Sequence, residues 1–253
     1  MSPSARTPRV AIVTGGIGGL GTEICRQLAQ AGRQVIAVDL PGRQERLDAF
    51  RHELADLNGS VVFESGDVSQ FESCAELIGR VEVNYGSVDI LVNAAGITRD
   101  TSLRKMTPQQ WHELMRVNLD GVFNTCRNVV EGMSARGFGR IVNLSSVNGQ
   151  TGQFGQTNYS AAKAGVHGFA MALARETARK GITVNTVSPG YCDTALVAAV
   201  PTDIRDQIIS DIPVGRLGSP ADIARAVSFL TADDAGYITG ANLPVNGGYF
   251  MSF

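Results

Sequence analysis

The stretch "RVAIVTGGIGGLGTEICRQLAQAG", residues 9–32, decides the architecture. It opens with a nearly continuous apolar, β-branched run, the pattern of a strand buried on both faces. A glycine-rich segment follows, and apolar residues then recur at helical spacing until Gly32 stops them. A strand that runs through a tight turn straight into a helix is half of a parallel βαβ unit. Gly15, Gly19 and Gly21, with Ile17 among them, form T-G-x-x-x-G-x-G. Residues without a β-carbon serve either a compact turn or a cradle where backbone N–H groups and a helix N-terminus approach an anion.

The same alternation continues along the chain. Val- and Ile-rich runs at 33–40, 60–68, 87–96, 139–147, 182–190 and 241–248 read as further buried strands. Helical spacing fills most of the intervals, including one long helix over 107–137 that opens with a Thr107 cap and Pro108. Strand and helix in alternation predict an α/β fold: one doubly wound, Rossmann-type domain over residues 1–253, with a mostly parallel sheet of about seven strands. Ligands of such sheets bind beyond the carboxyl ends of the strands, and every motif below follows a predicted strand.

Composition narrows the partners. The 253 residues are 43% hydrophobic, and 22 Lys plus Arg against 24 Asp plus Glu leave a formal charge of −2. That balance gives no electrostatic reason for a nucleic-acid or anionic-membrane partner, and points to a small molecule. "MSPSARTPRV" lacks an apolar signal core and no run reaches membrane-spanning length, so the expected setting is cytoplasmic. Cys25, Cys74, Cys126 and Cys192 lack zinc or C-x-x-C spacing and read as inert thiols. His52, His112 and His167 are scattered without metal spacing, so no metal is expected and none is given a role. Trp111 reads as packing. The apolar C-terminal "PVNGGYFMSF" reads as buried at a subunit contact.

Asp39 ends the second predicted strand, about 20 residues beyond the glycine cluster, where an acidic side chain accepts hydrogen bonds from an adenosine ribose diol. A 2′-phosphate would meet like-charge repulsion there, so NAD(H) is favoured over NADP(H), although Arg43 is near enough to blunt the effect. Asp39 could instead cap the next helix. After the third strand Asp67 is placed to meet an adenine amine, with Val68 giving a backbone contact. After the fourth, Asn93, Ala94 and Gly96 form a small-residue turn past which a ring or ribose could lie. After the sixth, Pro189 and Gly190 expose backbone near the nicotinamide end, with Thr194 a donor to its carboxamide or phosphate.

Tyr159 and Lys163 stand at i and i+4 on one predicted helix face. A phenol with a pKa near ~10 is a poor base at neutral pH, but a neighbouring ammonium and an oxidised nicotinamide ring favour its phenolate. Ser146, ending the fifth strand, is suited to bind a substrate carbonyl, and Asn118 to hold a proton-relaying water. A Y-x-x-x-K spacing also arises by chance on amphipathic helices; the joint pattern carries the reading.

T-G-x-x-x-G-x-G at 14–21, N-A-A-G at 93–96, Asn118 in "VNLDGVF", Ser146, Tyr159 with Lys163, and "SPG" at 188–190 resemble the short-chain dehydrogenase/reductase family across nearly the whole chain. The resemblance implies hydride transfer between a nicotinamide and a carbonyl or carbinol carbon, usually in a homotetramer. It implies Tyr159 as general acid/base, Lys163 as its pKa-lowering partner and ribose anchor, Ser146 as carbonyl binder and Asn118 as relay.

Within that family, "SSVNGQTGQFGQTNYSAAKAGVHGFAMALA" and "VNTVSPGY" are similar to the acetoacetyl-CoA reductases of polyhydroxybutyrate biosynthesis. That similarity implies reduction of acetoacetyl-CoA to (R)-3-hydroxybutyryl-CoA, with Gln153, Phe154, Gln156 and Tyr191 bordering the acyl-CoA. "YCDTALV" (191–197), in the expected lid, departs from the subgroup's pattern. Two other readings stand beside it. One is a carrier-protein-linked 3-oxoacyl reductase, docking through Arg175, Arg179 and Lys180; the other is a dehydrogenase of a free secondary alcohol or aryl ketone.

Overall fold

The structure is a computed structural model that describes residues 8–251 apart from Asn58, Ala195, Leu196, Ala198 and Ala199. Parts of two expectations, the lid over 191–197 and the C-terminal stretch, therefore lie outside the described residues.

Seven strands form one sheet: β1 (Val10–Thr14), β2 (Gln34–Asp39), β3 (Val61–Ser65), β4 (Val88–Asn93), β5 (Gly139–Leu144), β6 (Ile182–Pro189) and β7 (Asn242–Val245). Their order is β3-β2-β1-β4-β5-β6-β7, and every pairing is parallel. Seven strands and the parallel, doubly wound arrangement agree with the expectation from sequence. Each strand is a few residues shorter than its apolar run, because the last residues of the runs leave the sheet to build the site.

Period-two alternation splits the core. Ala11 and Val13 of β1 face one layer, where they meet Ile24, Cys25 and Leu28 of α1 (Gly19–Gln30), Leu47 and Phe50 of α2 (Gln44–Glu53), and Ile223 and Val227. Val10 and Ile12 face the other layer. There they join Leu77 and Val81 of α3 (Phe71–Tyr85), and Val122, Met133, Val166 and Ala170 from two long helices further along the chain. The strand order reverses between β1 and β4, and that crevice is the natural ligand site.

The segment read as one helix over 107–137 is interrupted. α4 (Pro108–Met115) starts at Thr107, whose hydroxyl accepts from Gln110 N while Gln110 caps in return. A π-helical turn then spans Arg116–Asp120 before α5 (Gly121–Arg136). The wider turn lets Asn118 leave the regular helical face: its side chain accepts from Ile97 N at 2.9 Å and donates to Ile97 O at 3.0 Å. Short α6 (Asn148–Thr151) and long α7 (Thr157–Thr177) follow β5, and α8 (Thr202–Asp211) and α9 (Pro220–Leu230) follow β6. None of these helices is long and apolar enough to cross a membrane.

Asn93, expected at the cofactor turn, points inward instead. Its Nδ2 donates to Asn143 Oδ1 at 2.9 Å and its Oδ1 accepts from Thr125 Oγ1 at 2.7 Å, tying β4 to β5 and α5. The physical reason is register: the residue pairs with Asn143 across the sheet and lies in the buried interior. Asn93→Ala leaves the Thr125 and Asn143 groups without this partner, and should destabilise the chain by about 2 kcal/mol in urea denaturation.

Candidate active site

The carboxyl ends of β1, β4, β5 and β6 surround two cavities of about 160 and 610 Å³ that share Ala94, Gly96 and Ile97. Another cavity, at the opposite end of the sheet, is lined by Arg9, Arg33, Asp89 and Asp233. Those charges pair with one another.

The smaller cavity has the glycine turn for a floor. Gly15, at φ +65°, leaves 2.9 Å between an added Cβ and the Ala95 backbone, and a Cβ on Gly21 would come 2.1 Å from Gly15 O. Only glycine permits this closeness, which holds the N-terminus of α1 open toward the crevice. A Cβ on Gly19 would meet Thr194, its Cγ2 at 3.5 Å and its Cβ at 3.8 Å, so these two residues face each other. Thr14, which sequence reasoning missed, braces the rim: its hydroxyl accepts the N–H groups of Ala94 and Ala95, both at 3.2 Å. Ile17 puts its side chain into the core, leaving only backbone for the turn.

Asp39, Asp67 and Val68 line the smaller cavity together with Arg43 and Arg46. Asp39 is buried, accepts from Leu40 N at 2.8 Å and pairs with Arg43 Nη1 at 2.8 Å, both through Oδ1. It caps no helix. Asp67 has Oδ1 engaged by the Ser69 N–H at 2.9 Å and hydroxyl at 2.7 Å, a local turn that orients the carboxylate. Val68 uses its carbonyl to accept from Asn124, at 2.8 Å.

The larger cavity gathers Ser146, Tyr159 and Lys163 with Gln156, Pro189, Gly190, Tyr191 and Thr194. Lys163 is buried, and its Nζ donates to Leu144 O at 2.7 Å, at the end of β5. Burial lowers its pKa to about 8. Nζ lies 5.7 Å from the centroid of the Tyr159 ring, and a Cβ built on Gly96 would sit 3.8 Å from Nζ and 3.5 Å from Asn118 Oδ1. Asn118 and Lys163 thus both approach one glycine. Ser146 Oγ accepts the Asn148 N–H at 3.2 Å, and its hydroxyl also bonds the Tyr159 phenol.

The surroundings of the phenol act in both directions. Burial raises the Tyr159 pKa, a hydrogen bond with Ser146 opposes this, and the charge of Asp100 raises it further. The net direction is upward, which favours the protonated phenol at neutral pH.

The amide-rich loop divides. Gln156 is in the cavity wall, its Nε2 donating to Asp100 Oδ2 at 2.8 Å and its Oε1 accepting from Asn148 Nδ2 at 2.9 Å. Gln153 and Phe154, expected beside the substrate, do not line the cavity, and Phe154 is 91% exposed. Gly152 and Gly155, at φ +72° and +78°, bracket the pair and turn it outward. Tyr191 does line the cavity, its ring edge-on to Tyr249 with centroids 5.4 Å apart. Leu20, Asp100, Asn148 and Cys192 also line the wall, and sequence reasoning gave none of them a role. All four cysteines are buried, and burial pushes their thiols well up, Cys192 to about 11, as suits inert groups.

A family model described as enoyl-(acyl carrier protein) reductase, of the short-chain dehydrogenase/reductase group, matches residues 15–250. The chain belongs to the short-chain dehydrogenase/reductase family. Members are oxidoreductases that use NAD(H) or NADP(H), and the glycine floor, the Asp39 wall and the ring of small residues between the cavities fit such a dinucleotide. The chain is 52% identical to an acetoacetyl-CoA reductase of Allochromatium vinosum over 96% of its length and 99% of the relative's. It is 53% identical to the Rhizobium meliloti acetoacetyl-CoA reductase, over 96% and 99%. A 3-oxoacyl-(acyl-carrier-protein) reductase of Haemophilus influenzae is 42% identical over 96% and 99%.

Asp100→Asn keeps an acceptor for Gln156 but removes one of the two upward pushes on the phenol. Tyr159 should then titrate at lower pH, read as tyrosinate absorbance against a Tyr159→Phe control in each background.

Proposed function

We propose that the chain reduces a 3-oxoacyl thioester, acetoacetyl-CoA to (R)-3-hydroxybutyryl-CoA, with NADH, and serves polyhydroxybutyrate biosynthesis. The observation that carries the reaction is Ser146, Tyr159 and Lys163 around one cavity that adjoins the glycine cradle. The substrate rests on the two acetoacetyl-CoA reductases at 52% and 53% identity over nearly the whole of each chain.

When bound, the nicotinamide supplies the hydride. Ser146 turns its hydroxyl hydrogen to the substrate carbonyl oxygen, polarising the carbon. Tyr159 delivers the proton to that oxygen, a task suited to a phenol whose surroundings keep it protonated. Lys163, with a pKa near 8, exchanges protons readily at neutral pH, and Asn118 stands next to it to hold the relaying water. Gln156 and Tyr191 border the acyl chain. Asn148 Oδ1, buried without a hydrogen-bond partner among the described residues, is an acceptor that a pantetheine amide would satisfy.

NADH is preferred because the Asp39 carboxylate accepts a ribose diol and repels a 2′-phosphate, while Arg43 is already paired with that carboxylate. Phe123, Phe229 and Met251 are exposed on α5, α9 and the C-terminal stretch, which supports burial in a homotetramer of one cytoplasmic domain. The exposed cluster of Arg175, Arg179 and Lys180 favours a second reading, a carrier-protein thioester as substrate.

The test is a panel of acetoacetyl-CoA, a carrier-protein thioester and simple ketones, each with NADH and NADPH. The expected winner is acetoacetyl-CoA with NADH; a simple ketone matching it in kcat/KM would sink the thioester assignment. Tyr159→Phe should lower kcat roughly 10²- to 10⁴-fold. Asp39→Ala should move the kcat/KM ratio toward NADPH by about tenfold or more, because Arg43 and Arg46 lose their acidic neighbour.

A further inference from the structure

His167 stands one helical turn beyond Lys163 on α7, among side chains that the proposed reaction leaves without a role. Its Nε2 is 2.6 Å from Ser145 Oγ and 3.3 Å from Ser188 Oγ. Ser145 Oγ is also 2.8 Å from the Lys163 carbonyl, and Ser188 Oγ is 2.7 Å from Asn242 Oδ1. Each serine has one hydrogen to give. The Lys163 and Asn242 oxygens can only accept, so both serine hydrogens are committed to them. With the serine hydrogens so placed, the matching tautomer carries its proton on Nε2 and donates to the serines.

This network binds three elements at one point. Ser145 and Ser188 stand at the ends of β5 and β6, paired through Ser145 N and Val187 O at 2.8 Å, and Asn242 begins β7. Ser145 is the chain neighbour of Ser146, and it holds the carbonyl of Lys163. Leu144, on its other side, supplies the oxygen that holds the Lys163 ammonium. From the opposite direction α6 presses on the same turn, where a Cβ on Gly149 would come 2.9 Å from Lys163 Cβ. The positions of Ser146 and Lys163 relative to each other are therefore set through residues 144 and 145, and the donor that keeps Ser145 in its role is His167.

We propose that His167 is a positioning residue for the reduction. By donating through Nε2 it directs the Ser145 hydroxyl onto the Lys163 carbonyl, and so holds the lysine turn of α7 in register with Ser146 across the reacting group. The proposal rests on the assignment of Ser146, Tyr159 and Lys163 as the reacting set. It extends that assignment to a residue that touches neither cofactor nor substrate. Without the donor, the Ser145 hydroxyl turns from Lys163, the turn drifts, and proton delivery slows while the cavity wall at Gln156 and Tyr191 keeps its shape.

The experiment compares His167→Leu, His167→Gln, Ser145→Ala, the His167→Leu/Ser145→Ala double variant and Tyr159→Phe as full-length enzymes. The substrate is the one the wild type reduces fastest, and kcat is expressed per NADH-binding site titrated by fluorescence. His167→Leu should lower kcat on the order of tenfold, with substrate KM within about twofold of wild type. The solvent deuterium isotope effect on kcat should rise, a change that loss of folded enzyme would not produce. His167→Gln keeps a side-chain N–H and should recover most of the loss. Ser145→Ala should resemble His167→Leu, and the double variant should be no worse than either.

Wild-type kcat and isotope effect in His167→Leu, or losses that multiply in the double variant, would overturn the proposal. If His167→Leu does not fold, Ser145→Ala decides: a raised isotope effect supports the proposal and a wild-type value sinks it. Tyr159→Phe separates the two levels. Full activity there removes the underlying reaction assignment, whereas an inactive Tyr159→Phe beside a normal His167→Leu removes only the role of His167.

Discussion

A buried ammonium held by one backbone carbonyl is the constraint on which the site is built. Lys163 lies inside the molecule with its Nζ on Leu144 O, and removal from water brings its proton affinity down to about 8. A charge so placed is tolerated only where polar atoms are already fixed around it. The end of β5 meets that need, since its last carbonyl faces α7 instead of another strand's N–H. Because the lysine cannot move without losing that oxygen, the helix that carries it is locked to the sheet. Tyr159, one turn earlier on the helix, is placed by the same lock.

The parallel sheet explains why the other parts arrive together. Every strand ends at the same edge, so the turns after β1, β4, β5 and β6 converge on one crevice although they are far apart in the chain. Glycines and alanines there keep backbone close to backbone, as at Gly15 against Ala95, and the room that remains forms two joined cavities. The polar residues of the rim divide their work. Thr14, Asn93 and Asn118 hold the β1, β4 and α5 ends to one another, while Ser146, Tyr159 and Gln156 face the space between. The π-helical turn at Arg116–Asp120 belongs to this economy of position, for it swings Asn118 onto the Ile97 backbone beside Lys163.

Much of this was legible in the chain because the signals are local. Alternating β-branched runs and helical spacing disclose strands and helices, and the Tyr159–Lys163 interval needs only a helix to become a contact. What misled sequence reasoning depended on direction. Asn93 sits in a turn motif but faces the interior through its pairing with Asn143. Gln153 and Phe154 share a loop with Gln156, yet two glycines with positive φ turn them to solvent. The balance at the Tyr159 phenol likewise needs the fold, since burial and Asp100, 59 positions back in sequence, raise its pKa while Ser146 lowers it.

The amino-acid sequence by itself determined the doubly wound parallel sheet, the glycine floor and the shared helix face of Tyr159 and Lys163, because periodicity, missing β-carbons and i,i+4 spacing act within a few residues. Only the tertiary structure decided the burial of Lys163, the protonated state of Tyr159, the Asp100–Gln156–Asn148 wall and the network through His167. Each of these depends on which groups from distant strands and helices exclude water from the same point, and no local pattern records that.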